Sequence, residues 1–286
     1  MNDYTKLYET ITDQIIKEME SGVIPWRKPW VALTGSYNAK SKRRYGFLNQ
    51  MILGKPGAYA SFKQWSELNC KVKKGAKASW IMEWFSKSIE YETENENGEP
   101  EKHSYLKWYP RMYPVFHESM VDGYKGEEPT TATIEPLETA ESIIKDYETF
   151  SGITAIKRTS ESNRAFYNPI RDYIQVPQIE QYNNPNEYYS TLFHEMVHST
   201  GHTSRLNRGL DERLAAFGSE DYSKEELIAE LGSSMIMARL HINTPQTFRN
   251  STAYLQSWLS ALKNDKSLLI SAMSYSESAT RYIFHE

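Results

Sequence analysis

With 286 residues, 39% of them hydrophobic, one cysteine and a net charge of −4, the chain is long enough for one large or two modest cores. A single Cys70 excludes an internal disulfide framework and fits a reducing, cytoplasmic setting. No apolar run approaches the roughly 18 residues that span a bilayer, so no membrane role is expected.

The charge is unevenly spread. Residues 1–80 hold 14 Lys/Arg and 6 Asp/Glu, whereas the remainder holds 19 and 31. A basic first part joined to an acidic second part implies two units, the basic one suited to a polyanion. Residues 4–21 carry Leu7, Ile11, Ile15, Ile16 and Met19 at helical spacing. Charges of both signs and the lack of an apolar h-region make a secretory signal there an unexpected reading. Gly22 and two prolines in SGVIPWRKPW end the helix. Short helices are expected at Tyr45–Leu53 and Ser61–Leu68, with KPGAYA between them as a turn.

From Ala78 to His117, runs such as SWIMEWF, SIEYE, SYLKWY and YPVFH favour strands. ETENENGEPEK, with Asn97-Gly98, reads as an acidic hairpin tip. Residues 119–136 are poor in large apolar groups and rich in Gly, Pro and Thr, which places the domain boundary there. A helix with the stripe Ala140, Ile143, Ile144 and Tyr147 follows, then strand-like ITAIKR, AFYNP and DYIQVP. The rest is helical, with segments around 223–240, 251–263 and 267–284 after the one that carries TLFHEMVHSTGH.

His194-Glu195-Met196-Val197-His198 is an H-E-x-x-H pattern on an amphipathic segment. Four residues turn a helix by about 400°, so the two histidines stand one above the other on one face. Both imidazoles can then reach one ion, and Glu195, just off that line, can serve as general base toward water. Two histidines also arise at this spacing by chance, so a third ligand decides. A metzincin-type third histidine fails, because position 204 is Ser204. His202 lies past Gly201 and would be swung about 80° from His194 on a continued helix. Glu226 and Glu230, one turn apart in SKEELIAELGSSM, offer a carboxylate ligand and a second carboxylate for an imidazole N–H. Glu226 is taken as ligand and Glu230 as its support, with the reverse order open, and with a solvated acidic helix face as the plain alternative. Tyr222 and His202 are candidates to stabilise an oxyanion, although a merely packed Tyr222 is the simpler reading. The ligand set suits Zn²⁺ and would also accept Mn²⁺ or Co²⁺.

In the basic part, Trp26, Arg27, Lys28, Trp30, Tyr37, Lys42, Arg43, Arg44 and Tyr45 interleave cations and aromatics, and Lys71, Lys73, Lys74 and Lys77 form a second cluster. Single-strand binders combine these two residue types. Trp26 and Trp30 could equally anchor the first helix to the core, and Lys42–Arg44 could be a solvated turn. No helix-turn-helix, zinc-finger or basic-zipper signature is present.

HEMVH followed by EELIAELG resembles the arrangement of thermolysin-like gluzincins, in which Glu226 matches the ligand by position and Glu230 the support. More of the chain resembles the ArdC-type antirestriction proteins: GVIPWRKPW, the Asn38 to Leu53 segment with YGFLNQMIL, VKKGAK, YPVF, DYIQVP, STLFHEMVHSTGH, EELIAELGSSM and YLQSWLSALKND. The resemblance implies an α+β protein. An N-terminal α/β domain binding single-stranded DNA, residues 1–130 and including Asn38, precedes a mostly helical zincin-like metallopeptidase domain with a small sheet, residues 131–286. It implies a cytoplasmic protein of mobile elements that protects incoming DNA from restriction, with a protein substrate that the residues do not name. A regulatory or toxin-type metallopeptidase, and a single-strand binder with an idle metal, are the other readings. The acidic region at 90–102 departs from the pattern.

Overall fold

The computed structural model describes residues 3–27, 35–94, 100–126, 136–182, 184–210, 220–242 and 251–286. Helix α1 (Asp3–Glu20) opens the chain. Strand β1 (Ser36–Asn38), helix α2 (Phe47–Leu53), strand β2 (Gly57–Ala60) and helix α3 (Phe62–Glu67) follow. Ser61 and Gln64 form a capping box at the start of α3, which satisfies donors that a short helix would otherwise leave open. Strands β3 (Lys71–Val72), β4 (Ser79–Glu94), β5 (Pro100–His117) and β6 (Val121–Asp122) complete the first part. Their order is β1-β2-β5-β4 in one sheet, with β3 and β6 paired separately.

KPGAYA is not a turn. Gly57–Ala60 pairs parallel with Ser36–Asn38 and antiparallel with β5 through Tyr59↔His117 and Ala60↔Phe116. The sequence hides this because Ala58 and Ala60, both fully buried, lack β-type side chains. Gly57, at φ +128, enters the strand where an added Cβ would meet the His117 ring at 2.6 Å. The four strand-like runs of 78–117 are two long strands, registered from Ser79↔Val115 to Glu94↔Pro100. The Asn97-Gly98 tip lies outside the described residues.

The second part holds α4 (Pro136–Phe150), strands β7 (Ala155–Thr159), β8 (Phe166–Asn168) and β9 (Tyr173–Pro177) in the order β7-β9-β8, and helices α5 (Pro185–Thr200), α6 (Glu220–Arg239), α7 (Ser251–Asn264) and α8 (Leu268–Ile283). Helix α6 is buried on every side from 226 to 237, with Leu227, Ile228, Leu231, Ile236 and Met237 in the core beside the buried Glu226, Glu230, Ser233 and Ser234, as suits a central helix walled in by α5, α7 and α8. No helix among the described residues is long and apolar enough to cross a membrane.

The two parts share a core. Ile11, Ile15 and Met19 of α1 lie in one buried cluster with Leu192, Leu227, Trp258 and Leu269. Thr12 donates to the Lys266 carbonyl at 2.7 Å, and Lys263–Glu20 and Lys266–Asp13 pair across the same seam. A cut near 130 therefore divides the sequence but not the hydrophobic core.

Candidate metal centre

Helix α5 starts cleanly. The Asn184 side chain accepts from the Glu187 amide at 3.1 Å, and Pro185 occupies the first turn, where its missing N–H costs nothing. The helix runs buried to Thr200, and its last carbonyls are taken by two arginines: Arg205 Nε donates to Ser199 O at 2.7 Å and Arg208 Nη2 to Val197 O at 2.8 Å. Helix α6 crosses close by. An added Cβ on Gly232 would stand 2.8 Å from Val197 Cγ2, so glycine sets the approach that carries α6's carboxylates to α5's imidazoles. Ser233 Oγ fixes the crossing by donating to Ser190 O at 2.7 Å.

At the crossing His194 Nε2 and His198 Nε2 stand 3.1 Å apart. Glu226 Oε2 is 3.5 Å from the former and Oε1 3.5 Å from the latter. Bonds of about 2.0–2.1 Å at tetrahedral angles place neighbouring donor atoms about 3.3–3.4 Å apart; the two imidazoles stand at that scale, each faces a different oxygen of Glu226, and one ligand atom from each of the three residues lies within 4.8 Å of the others. Two imidazoles and one carboxylate are also the donor chemistry of a catalytic zinc site with one position left open. Among the described residues, these three are the His/Cys/Asp/Glu group whose ligand atoms converge this way.

The electrostatics point the same way. Burial opposes charge on His198, yet Glu225 and Glu226 outweigh it and push its pKa up to about 10. Burial also opposes charge on Glu226, but His194 and His198 hold it far below the usual carboxylate range. The cleft is thus built to stabilise a cation between these groups, and an ion would replace the proton. Glu195 is buried beside them. Burial raises its pKa, against the opposing pull of His194, His198 and the backbone N–H of Tyr167 on β8. A base with a raised pKa next to an open coordination position can take and return a proton.

Sequence reading missed Glu225. Its Oε1 accepts from His198 Nδ1 at 3.2 Å, and Arg208 grips the same carboxylate through Nε at 3.0 Å and Nη2 at 2.6 Å. Glu230, the expected imidazole support, is buried with Oε2 3.9 Å from His194 Nδ1. Glu225 therefore stands hydrogen-bonded behind His198, while Glu230 lies near His194 Nδ1 at more than hydrogen-bond distance. The EE doublet held this possibility, but helical spacing alone did not separate the two side chains. His202 follows the helix end, where its Nδ1 lies 2.8 Å from Ser204 Oγ. Tyr222 is half-buried in the first turn of α6.

The basic residues fall into three groups. Trp26 and Tyr37 are 1% and 3% exposed, which corrects their assignment as stacking surfaces. Trp26 packs edge-on against Trp258 at 5.8 Å, as the anchoring alternative required. Tyr45 and Asn38 are half-buried and joined, with Asn38 Nδ2 donating to the Tyr45 hydroxyl at 3.2 Å. Lys42, Arg43, Arg44, Lys71, Lys73, Lys74 and Lys77 are exposed. The two clusters approach one segment: Lys42 Nζ reaches Tyr124 Oη at 3.2 Å, and Lys73 Nζ reaches Ser119 O at 3.1 Å. Arg27 lies in a short 3-10 turn, and Lys28 and Trp30 are outside the described residues.

A two-helix zincin-like centre on a mixed α and β chain defines the class as a protein with a metallopeptidase-type domain, and comparison with known proteins agrees. Residues 145–275 match the zincin-like metallopeptidase family, and residues 5–116 match the N-terminal domain of the anti-restriction factor ArdC. The crystal structure of antirestriction protein ArdC from plasmid R388, metal-free, is 33% identical with a TM-score of 0.69, covering 98% of this chain and 97% of that one. Its Mn(II)-bound form is 32% identical with a TM-score of 0.72, at the same coverage. Protein y4eC of Sinorhizobium fredii is 30% identical over 94% of this chain and 89% of its own length. DNA primase TraC of Escherichia coli is 31% identical over 96% of this chain, which spans 27% of that longer protein. The chain belongs to the ArdC antirestriction family and has its two-domain architecture, with a zincin-like C-terminal domain.

Proposed function

We propose that the chain is a cytoplasmic antirestriction protein of a mobile element, that its basic part binds single-stranded DNA, and that its C-terminal part is a zinc-dependent metallopeptidase. In this reading His194, His198 and Glu226 hold the ion, Glu225 and Glu230 orient the imidazoles, and residue 130 divides the two units. Zn²⁺ is the default occupant on donor chemistry, with Mn²⁺ and Co²⁺ accepted; the Mn(II)-bound ArdC of R388 supports a divalent ion in this fold. When bound, the ion would supply a Lewis acid and lower the pKa of a water toward about 7. Glu195, buried beside the ligands, would take a proton from the water that attacks a carbonyl and return it to the leaving amine. The β8 backbone, through Tyr167 N–H, holds the Glu195 carboxylate in place. Tyr222 and His202 are the candidates to donate to the developing oxyanion.

The carrying observation is the convergence of His194, His198 and Glu226, with the two Nε2 atoms 3.1 Å apart and each 3.5 Å from one Glu226 oxygen, and Glu195 buried beside them. Single-strand binding is supported by the family's N-terminal domain, by the exposed cations around segment 119–124, and by the primase in which a related segment is embedded. The test is a pair of measurements on wild type and Glu195→Gln: peptide-bond hydrolysis of candidate proteins from restriction systems, and titration of a labelled oligonucleotide. We expect hydrolysis to fall by about 10²–10⁴-fold while oligonucleotide affinity and metal content stay level. Loss of oligonucleotide binding in the variant would refute the separation of the two activities, and unchanged hydrolysis would refute the role of Glu195.

A further inference from the structure

Strands β4 and β5 leave the sheet as a ribbon. Only Tyr59 and Ala60 of β2 pair with β5, at its last two residues, whereas β4 and β5 pair with each other along their whole length. At its base both faces are buried: Ile81 and Val115 pack with Leu53 and Tyr59, and Met82 joins the large core. Beyond the base large apolar groups are exposed, Phe85 at 40% and Tyr105 at 50% on one face and Trp84 and Leu106 on the other. Such exposure on both faces of a two-stranded ribbon marks a binding surface more often than a stable free one.

Alternation divides the side chains. In this register odd-numbered residues of both strands share one face. On β5 that face reads Tyr105, Lys107, Tyr109, Arg111, Tyr113, an aromatic and a cation in turn, with neighbours about 6.8 Å apart. Tyr109 stacks on Phe85 across the ribbon at 5.6 Å, Lys107 lies over the Tyr109 ring at 5.7 Å, and Arg111 lies over Phe85 at 5.2 Å. Two acids share this face, Glu83 opposite Arg111 and Glu101 opposite Thr93, against the cations Lys87, Lys107 and Arg111. Glu90 and Glu92 are on the even-numbered face, where Lys102 pairs with Glu92 at 3.7 Å. The region that looks uniformly acidic in the sequence therefore puts Glu90 and Glu92 on the other face and Glu101 on this one. At its base the odd face meets the Asn38–Tyr45 turn: Tyr45 packs on the cluster of Ile81 and Val115, and Lys42, Arg43 and Arg44 follow on the same exposed turn.

We propose that the odd-numbered face of the β4–β5 ribbon is a binding track for a single-stranded polynucleotide, with bases stacking on Tyr105 and on the Phe85–Tyr109 pair and phosphates held by Lys87, Lys107 and Arg111. The inference rests on the single-strand reading above and locates most of its stacking surface where the basic turns have none. Alternating rings and cations fit a ligand that alternates flat bases and phosphates; a polypeptide adding to the strand edge would use the backbone and ignore this pattern. Exposed Lys107 and Arg111 exchange a neighbouring ring for a phosphate at little cost.

The test uses the full chain and a labelled oligothymidylate of about 20 nucleotides at several salt concentrations. Tyr105→Ala and Tyr109→Ala should each weaken binding about tenfold, and Tyr109→Phe should leave it within twofold, because the ring is kept. Lys107→Ala and Arg111→Ala should each reduce the slope of log affinity on log salt by about 0.7. Trp84→Ala, on the even face, should bind like wild type, and unfolding midpoints check that each variant is folded. Odd-face variants that bind like wild type while Arg43→Ala weakens binding would overturn the ribbon proposal and leave the single-strand reading standing. A wild type that does not bind at low salt would overturn both. A change in sedimentation in place of oligonucleotide affinity would assign the face to a second copy of the chain and overturn the proposal.

Discussion

In the C-terminal unit the groups that carry chemistry sit on two adjacent helices and are buried: His194, Glu195, Glu226 and Glu230 are each at most 8% exposed. In the N-terminal unit the cations of residues 42–44 and 71–77 sit on and around exposed turns, and of the aromatics interleaved with them in sequence Trp26 and Tyr37 are buried and Tyr45 is half-buried. The difference reflects what each ligand demands. A divalent ion needs a few donors within about 0.2 Å of fixed positions, which packed helices provide and loops do not. A polyanion needs charge along a path and tolerates mobile side chains, so solvated turns serve. Substitutions of the ligand-binding groups in the C-terminal unit should therefore have large, local effects on binding, and those on the turns of the N-terminal unit small, additive ones.

The largest effect is expected at the ligands. Glu226→Ala should bring metal content from about one ion per chain to near zero after dialysis, whereas Glu230→Ala, which removes a carboxylate behind His194, should weaken the metal by about 10–100-fold and leave it bound at saturating concentration. Elemental analysis and a metal titration separate the two, and equal metal content in both variants would break the ligand assignment. Next, Trp26→Ala should destabilise the fold by about 3–5 kcal/mol in denaturant unfolding, because it opens the core against Trp258. Oligonucleotide affinity per folded molecule should not change; a loss there would return Trp26 to the DNA surface and blur the contrast.

How much of this was legible follows from what each residue needs. The two histidines were readable because helical periodicity alone stacks them, and Glu226 because its motif lies on a strongly helical stretch. Glu225 was not, because its role depends on Arg208, which arrives from the loop after α5 and is fixed only by the tertiary fold. Strand β2 was hidden by its alanines, and the ribbon's two faces by a register that no local pattern states. Trp26 was a true ambiguity: a proline-flanked tryptophan in a basic stretch looks the same whether its ring stacks on a base or on Trp258.

Arg208→Ala gives the next smaller effect and sharpens the picture of the metal cleft. Glu225 would keep its hydrogen bond from His198 but lose the guanidinium that holds it. Metal affinity should drop by about 10–100-fold with the ligands intact, and Arg208→Lys should restore only part of it, since a single ammonium cannot grip both carboxylate oxygens. Full affinity in Arg208→Ala would mean that Glu225 needs no anchor.

The smallest effect belongs to the basic turn. Arg43 and Arg44 are exposed, so neither is part of a core. Removing a phosphate contact from a single strand reduces the slope of log affinity on log salt by about 0.7, so Arg43→Ala and Arg44→Ala should each do so, and the double variant should lose about 1.4. The unfolding midpoint should stay within the scatter of surface substitutions, about ±0.5 kcal/mol. Additivity is the sharp part of this expectation, because cations on a solvated turn act as independent point charges on a long polymer. If the double variant instead lost all binding, the turn would be a cooperative, geometrically defined site, built on the same principle as the metal cleft, and the contrast between the two units would fail.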